Sequence, residues 1–265
     1  MPERILLAPP EQVAGYDELK WIDVWPVWLN AAEPVRIHFR DLLSAGEAGR
    51  ADRYVDVAAR RTFEVSRGVL RRLLSRYVGD EPQALELTEG PRGKPVLRRT
   101  GSIRFNLSHS HDLALYAIAD GVEVGVDLEK VRPLADLDAV TRRFFHPQET
   151  AELMSLDTRQ VEAFFRCWTR KEAYVKAIGD GLAAGFDRFQ VSLLPGQAAR
   201  MAHIEQNAGA AELWNLHHLE PAADYVGALA YAGTQCAVRV YAPAAAGELL
   251  RDDFTLRERG DLFAQ

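Results

Sequence analysis

The sequence predicts an α+β fold built from two similar halves, residues 1–120 and 121–265, each with a long helix packed on a mainly antiparallel sheet. Apolar residues recur at helical spacing in two long segments, one ending near Tyr77 and one near Ile178. Short alternating apolar runs around these segments predict strands. Both halves repeat the order of strand, long helix and several strands, which indicates an internal duplication.

The composition is that of a globular protein that can bury a full core. The chain has 265 residues, of which 48% are apolar and 26% charged, values that exclude a disordered chain or a disulfide scaffold. Two cysteines, Cys167 and Cys236, are too few for a disulfide framework or a four-cysteine zinc site. No run of 18 apolar residues and no signal-peptide pattern is present, so we expect a cytoplasmic protein that does not span a membrane.

The charge is acidic in total but unevenly distributed. The formal net charge is −6, yet residues 50–104 hold 13 Lys and Arg against 7 Asp and Glu, a net of +6 that leaves −12 elsewhere. The acidic total argues against a nucleic-acid-binding protein. A basic region on an acidic chain is typical of binding to an anionic ligand or partner, although a solvated arginine-rich helix face gives the same pattern.

The first half is expected to open with a strand over 21–29, in which Pro26 indicates an edge or a bulge. The long helix that follows is expected to end at Gly79. A short strand is expected over 84–88, and the Gly- and Pro-rich segment 90–95 predicts a loop.

Three strands are predicted in the middle of the chain, over 103–107, 113–119 and 122–128. Between the last two, Asp120 and Gly121 are typical of a two-residue hairpin turn. The last strand alternates cleanly, with apolar residues on one face and polar residues or glycine on the other.

The second half turns helical after Pro133. Pro147 fits the first turn of a short helix over 148–155. Asp157 with Gln160 resembles a capping box for the second long helix, which we expect to end at Gly179. Four further strands are expected, over 188–194, 212–219, 225–232 and 237–241.

Asp127 and Glu129 form the strongest local pattern. Two residues apart on a strand, their carboxylates leave the same face with Cα atoms about 6.6–6.8 Å apart. Oxygen ligands at this spacing can share one hard cation such as Mg²⁺, and Gly125 leaves the backbone open to a ligand. An exposed polar face at the end of a half-buried strand is the alternative.

The second pattern is helical. Trp168, Glu172 and Lys176 lie four residues apart and share one helix face. Glu172 and Lys176 could be a simple intrahelical ion pair. Alternatively, Glu172 supplies a third carboxylate to the cation and Lys176 faces a phosphate, since Mg²⁺ is usually shared between carboxylates and substrate phosphates.

Two further segments add polar groups after a strand and in a loop. Ser108 and His109 could contact a ligand, whereas a serine hydrolase is excluded because the nucleophile elbow is missing. His109 and His111 at strand spacing lack a third metal ligand. Lys94, with Arg92 before it, lies in a loop whose spacing excludes a nucleotide P-loop, and taken alone this pattern favours a plain surface turn.

In order along the chain, these segments resemble the Sfp-type 4′-phosphopantetheinyl transferases. The matching stretches are GKP at 93–95, FNLSHS at 105–110, GVDLE at 125–129, WTRKEAYVKAIGDGL at 168–182 and FDRFQVSL at 186–193. The resemblance covers roughly residues 50–194, and the remaining segments contribute only compatible length and strand content.

The resemblance implies a fold, a reaction and partners. The fold would be a pseudo-twofold single chain, expected to be monomeric, with the active site between its lobes. The enzyme would transfer the 4′-phosphopantetheine arm of coenzyme A to a serine of an apo acyl or peptidyl carrier protein, an acidic helical domain. The reaction would require Mg²⁺ and release adenosine 3′,5′-bisphosphate. No nucleic-acid or membrane partner is expected.

The resemblance also implies roles for individual residues. Asp127, Glu129 and Glu172 would bind the metal, and Glu172 or Glu129 would act as the base, directly or through a metal-bound water. Lys176 would face the phosphates and offset charge on the leaving oxygen. The other coenzyme contacts would come from Arg53, Arg61, Arg92, Lys94, Ser108, His109 and Lys171.

Two other functions compete with this interpretation. A Mg²⁺-dependent phosphohydrolase or nucleotidyl enzyme would use the same carboxylates but leaves the loop lysine and the serine–histidine segment unexplained. A non-catalytic coenzyme-binding or carrier-binding module would be expected to lack a metal ligand or a lysine, and the sequence retains all of them.

Overall fold

The computed structural model describes residues 20–90, 94–98, 101–179, 185–205 and 209–251, which form a mixed α+β fold. None of the helices in these ranges is long and apolar enough to cross a membrane. In chain order the elements are β1 Trp21–Trp28, α1 Glu33–Asp41, α2 Ala45–Asp52, α3 Val57–Val78, β2 Leu87–Glu89, β3 Pro95–Leu97, β4 Ile103–Ser110, β5 Leu113–Asp120, β6 Val124–Lys130, α4 Leu137–Phe144, α5 Pro147–Met154, α6 Gln160–Ile178, β7 Phe189–Val191, β8 Met201–Ile204, β9 Trp214–Leu219, β10 Tyr225–Ala232, β11 Ala237–Val240 and β12 Ala244–Ala245.

Two sheets form the centre of the fold. The first has the strand order β11-β1-β5-β4, with β12 also paired to β1, and the second has the order β6-β10-β9. Strands β11 and β12 run parallel to β1, whereas the other pairs in both sheets are antiparallel. Two short antiparallel pairs, β2–β3 and β7–β8, lie outside these sheets.

The two long helices and the two sheets form successive layers. Helix α3 packs on the first sheet, where Leu73 shares a buried cluster with Tyr116. The sheets pack against each other through a second cluster that includes Leu115 of β5 and Val126 of β6. Helix α6 packs on the second sheet in a third cluster. Each sheet therefore buries both faces, one against a helix and one against the other sheet.

The polar positions of β4 face the edge of the second sheet. The Asn106 side chain accepts a hydrogen bond from the backbone N–H of Val126 at 2.8 Å. This contact occupies a backbone donor on β6, which is an edge strand of its sheet. It also fixes β4 beside β6, so that the residues that follow on both strands lie next to one another.

Two predictions from local sequence patterns are wrong, one about which strands pair and one about a helix cap. Asp120 and Gly121 do form a turn, with Gly121 at φ +64°, but β5 and β6 do not pair. Strand β6 pairs with β10 instead, with Lys130 opposite Tyr225. The predicted capping box is also absent, since the cap of α6 is Arg159 at φ +63° without a side-chain hydrogen bond.

Pro26 lies inside the first sheet rather than at its edge. Strand β1 pairs with β11 through Trp21–Val24 and with β12 through Val27–Trp28. Pro26 falls between these two segments, so its missing N–H interrupts no hydrogen bond on that side. The short strand predicted over 84–88 is displaced to β2, and β3 extends out of the predicted loop.

Candidate active site

Helix α6 crosses β6 in direct backbone contact at Gly125. A Cβ atom at this position would lie 2.0 Å from the carbonyl oxygen of Ala173 and 2.4 Å from the backbone nitrogen of Ala177. Only glycine permits this approach. Gly125 was expected to leave room for a ligand, but the space beside it is occupied by the backbone of α6. Asp127, the next residue on the same face of β6, contacts Lys176 at the end of this helix.

Asp127, Lys176 and Ser108 form a compact hydrogen-bonded group. Lys176 Nζ lies 2.6 Å from Asp127 Oδ1 and donates to Ser108 Oγ at 3.0 Å. Ser108 Oγ donates to the same carboxylate oxygen at 2.8 Å. The other oxygen, Asp127 Oδ2, is buried without a hydrogen-bond partner. A buried carboxylate oxygen of this kind is costly unless a cation or donor contacts it.

Glu129 is held in the same way by the next polar residue of β4. Ser110 Oγ donates to Glu129 Oε2 at 3.0 Å and accepts from the backbone N–H of Lys130 at 3.1 Å. Burial and the neighbouring charge of Asp127 raise the pKa of Glu129. Ser108 and Ser110 are two residues apart on one strand face, like Asp127 and Glu129, so each serine bonds one carboxylate.

Glu172 completes the group of acidic side chains. It lies one helical turn before Lys176, and burial followed by the charge of Asp127 raises the pKa of its carboxyl. Glu129 acts on it in the same direction. Asp127, Glu129 and Glu172 are here called the acidic cluster, and the charge of Asp127 disfavours the ionised form of both glutamates.

The acidic cluster does not form a closed metal-binding geometry. In the described part of the chain, no three His, Cys, Asp or Glu side chains are arranged to hold a metal ion. Lys176 contacts Asp127 and compensates part of the charge. The residues nevertheless fit a hard cation, because they offer carboxylate oxygens, an unpartnered Asp127 Oδ2, and two glutamates whose pKa values are raised by burial and by the charge of Asp127.

A cavity of about 460 Å³ adjoins β4, although neither Lys176 nor any residue of the acidic cluster lines it. His109, on the strand between the two serines, contributes to its wall, and its desolvation together with the charge of Lys176 lowers the pKa of the imidazole. The cavity is lined by Tyr54, Ala59, Thr62, Phe63, Ser66, Arg67, Pro95, Leu107, His109 and His111. Its wall thus combines aromatic, cationic and hydroxyl groups, which suits a ligand with a ring and an anionic group.

Comparisons with known proteins identify the family of this chain. The family profile described as the 4′-phosphopantetheinyl transferase superfamily matches residues 123–230, which include the acidic cluster and Lys176. The 4′-phosphopantetheinyl transferase HetI of Nostoc sp. is 38% identical over 229 residues, which are 85% of this chain and 92% of that protein. The chain belongs to the 4′-phosphopantetheinyl transferase superfamily.

Other members of the superfamily match smaller parts of the chain. The 4′-phosphopantetheinyl transferase psf-1 of Bacillus pumilus is 38% identical over 138 residues, 49% of this chain and 58% of that protein. A crystal structure of Thermotoga maritima holo-(acyl-carrier-protein) synthase covers 43% of this chain and 65% of that chain, with 18% identity and a TM-score of 0.34. The predictions of the family and of a phosphopantetheinyl transferase enzyme are confirmed.

Lys171 does not lie where the superfamily resemblance implied. Its ammonium is fully buried and donates to the carbonyl oxygens of Phe186 at 2.7 Å and Phe189 at 2.6 Å. It also pairs with the buried Glu149 at 2.8 Å. These contacts lie on another face of α6 from Glu172 and Lys176, so the prediction that Lys171 contacts the coenzyme is wrong.

The other residues predicted to contact the coenzyme do not all lie near the cavity or the acidic cluster. Arg61 is exposed and lies 3.4 Å from Glu33, and Arg53 is exposed at the end of α2, so neither belongs to the cavity wall described above. Lys94 donates to the Lys176 carbonyl oxygen at 3.0 Å. Arg92 lies outside the described residues.

Arg67 lines the cavity but was not predicted from the sequence as a candidate site residue. Its Nη1 is buried without a hydrogen-bond partner, and its Nε lies 3.3 Å from Glu47. Burial lowers the pKa of this guanidinium. Helical spacing places Arg67 on the same face of α3 as Phe63, four residues earlier, but does not predict that this face lines a cavity.

Proposed function

We propose that this transferase moves the 4′-phosphopantetheine arm of coenzyme A to a serine hydroxyl of an apo acyl or peptidyl carrier protein. The observation on which this rests is the joint placement of Lys176, Asp127 and Ser108 beside a cavity lined by Arg67 and His109. A cationic, hydroxyl-rich group next to carboxylates suits a pyrophosphate, whose charge must be balanced while one P–O bond is exchanged.

The reaction breaks the phosphoanhydride bond of the coenzyme A pyrophosphate and forms a phosphoester bond to the carrier serine. The carrier serine oxygen forms a bond to the β-phosphorus of coenzyme A, and the bond from that phosphorus to the bridging oxygen breaks. Adenosine 3′,5′-bisphosphate leaves with the bridging oxygen, and the serine proton passes to a protein carboxylate. We propose that Lys176 offsets the charge that develops on the departing oxygen.

Glu172 and Glu129 are the candidates for the base. The raised pKa of each carboxyl makes it a stronger proton acceptor than an ordinary glutamate. Ser110 holds Glu129 in place, whereas Glu172 projects from the helix next to Lys176. The Glu129 side chain is thus held by a hydrogen bond, whereas Glu172 is placed by its position on the helix. Substituting each glutamate in turn would show which one accepts the serine proton.

We further propose that the acidic cluster holds Mg²⁺ together with the pyrophosphate. A bound cation would supply additional charge neutralisation at the phosphates. Asp127 Oδ2, Glu129 and Glu172 provide hard oxygen ligands, the type that Mg²⁺ prefers. Ser108, His109 and Arg67 would contact the anionic end of the coenzyme.

The proposal extends to the organisation of the chain. We propose that residues 1–120 and 121–265 are duplicated lobes related by a pseudo-twofold axis, since each pairs one long helix with one sheet. Strands β11 and β12 would then complete the first lobe's sheet from the second half. The free, buried thiols of Cys167 and Cys236 fit the cytoplasm, and we propose a monomer that acts on an acidic helical carrier domain.

Intact-mass spectrometry of an apo carrier protein tests this function. With coenzyme A, Mg²⁺ and the enzyme, the carrier should gain the mass of one phosphopantetheine arm, and Asp127→Ala or EDTA should prevent the gain. Glu86→Gln, which alters an exposed carboxylate away from the cluster, should have no effect. Release of phosphopantetheine without any carrier would support a hydrolase and contradict the proposal, as would no gain on fatty-acid, polyketide and peptide carriers.

A further inference from the structure

Lys94 connects the two halves of the chain at the active site. Its ammonium donates to the carbonyl oxygen of Lys176 at 3.0 Å and to that of Val124 at 3.5 Å. Lys176 is in the last turn of α6 and Val124 is the first residue of β6. One side chain from the first half therefore contacts the two elements whose crossing forms the site.

The carbonyl of Lys176 needs a partner from outside its helix. The last four carbonyls of an α-helix have no intrahelical donor, and a cation near this end is also favoured by the helix dipole. Lys94 meets both requirements. Its second contact, at Val124, lies next to Gly125, where the backbone of α6 touches β6.

The backbone of Lys94 is fixed by the first half. Its carbonyl accepts the N–H of Gly90 at 2.7 Å, and β2 pairs with β3 immediately beyond it, with Leu87 opposite Leu97. Both leucines pack against the buried cluster under α3. The Lys94 ammonium thus reaches the end of α6 from a strand pair that packs on the core of the first half.

The environment of this ammonium is not that of a solvent-exposed lysine. Burial lowers the pKa of Lys94, and the charge of Lys176 acts in the same direction. Its nearest carboxylate, Glu123, lies 3.9 Å away and is itself bonded to Arg104 at 2.8 Å. The hydrogen bonds to the carbonyl oxygens of Lys176 and Val124 are therefore the main interactions that hold the Lys94 ammonium in this position.

We propose that Lys94 is a positioning residue for Lys176, clamping the last turn of α6 against β6 so that the Lys176 ammonium stays on Asp127. This inference rests on the proposed transfer reaction, and it differs from the role in coenzyme binding that the family resemblance implied for Lys94. A positioning role acts through Lys176, whereas a binding role acts on the coenzyme directly.

Steady-state kinetics separate these two roles. In Lys94→Met, which keeps a linear side chain and removes the charge, kcat should fall about 10- to 100-fold, because small displacements of a reacting group have effects of this size. KM for coenzyme A should change less than about twofold if uniform binding is untouched. Lys94→Arg, which can donate to both carbonyls, should recover most of kcat.

Lys20→Met is a matched control. Lys20 also donates to a backbone carbonyl, that of Gly121 at 2.7 Å, but at an exposed turn remote from α6. Its substitution should leave kcat and KM unchanged. A rise in KM for coenzyme A with unchanged kcat in Lys94→Met would overturn the positioning role.

A double-mutant cycle gives a second criterion. If Lys94 acts through Lys176, Lys94→Met should cost less than about twofold further activity in a Lys176→Met background. Additive losses would contradict the proposal, because they would mean that each lysine contacts the reactants independently.

Amide hydrogen exchange tests the clamp without any transfer assay. In the coenzyme-free protein, Lys94→Met should speed exchange in the last turn of α6, residues 175–178, at least about tenfold relative to the middle of the helix. Unchanged protection would refute the clamp even if carrier modification is observed. Faster exchange in a protein that modifies no carrier would refute the proposed function and leave the clamp standing.

Discussion

Lys176 Nζ and Asp127 Oδ1 are 2.6 Å apart, and this ion pair joins the end of α6 to the middle of β6. The Asp127 side chain is 7% exposed, whereas the Lys176 side chain is 28% exposed. The charge of the lysine can therefore reach a bound substrate while the aspartate stays inside the protein.

Asp127→Asn should lower kcat by about 10²- to 10³-fold, the usual effect of removing one group that stabilises the transition state. The amide preserves shape but no longer compensates the charge of Lys176 or offers an anionic oxygen to a cation. Stopped carrier-modification assays at saturating coenzyme A would measure the loss. A variant that keeps more than half of kcat would show that the Asp127 charge is dispensable.

Gly125→Ala should unfold or severely destabilise the protein. The new methyl group would overlap the Ala173 carbonyl, and overpacking of this kind costs about 1–3 kcal/mol or more. Urea unfolding would measure the change. Gly46→Ala is the matched control, because no atom lies within 4 Å of its Cβ position in α2 and a helical alanine is favoured by about 0.5–1 kcal/mol. Equal stability of the Gly125 variant would show that α6 can move away from β6.

Lys171→Met should cost about 3–5 kcal/mol of unfolding free energy, because it leaves the charge of Glu149 buried without its cation. Burial already raises the pKa of Glu149. The double variant Lys171→Met/Glu149→Met should recover much of that loss, as measured by urea titration. A fully folded Lys171→Met protein that binds coenzyme A far more weakly would restore Lys171 as a coenzyme contact.

Lys176→Met should raise the pKa of His109 while leaving it below the ordinary histidine value, since desolvation is the larger cause and remains. NMR titration of the imidazole would measure the shift. In the parent protein the lowered pKa means that the unfolded state binds the proton more readily, so His109 destabilises the fold as the pH drops below about 6.5. An unchanged pKa would place Lys176 too far away to act on the ring.

Sequence patterns predicted the candidate site residues better than their surroundings. Strand and helix spacing singled out Asp127, Glu129, Glu172 and Lys176 as candidates, and the structure brings them together. Lys171 follows Phe164 by seven residues and Cys167 by four, which places it on the buried stripe of α6. The family resemblance implied that Lys171 contacts the coenzyme, whereas its position on the buried face of the helix predicts that it lies in the core.

The sequence alone did not predict which distant strands pair with one another. The apolar alternation of residues 122–128 predicts a strand correctly but does not indicate its partner, and the local turn favoured the wrong one. The parallel partners of β1 come from the far end of the described chain. Arg67 was missed for a related reason, since its role depends on a cavity that α3 forms together with β4.

The parallel pairing of β1 with β11 sets an order of events during synthesis. Asp23 is 2% exposed, and its cationic partner Arg239 lies 216 residues later in the chain. At about 5–20 residues per second, a ribosome needs roughly 10–40 s to cover that distance. A first half that folded during this interval would bury the Asp23 carboxylate without its cation and leave an open sheet edge. The first strand of the described chain is thus among the last to be completed, and a chaperone would have most to protect in this interval.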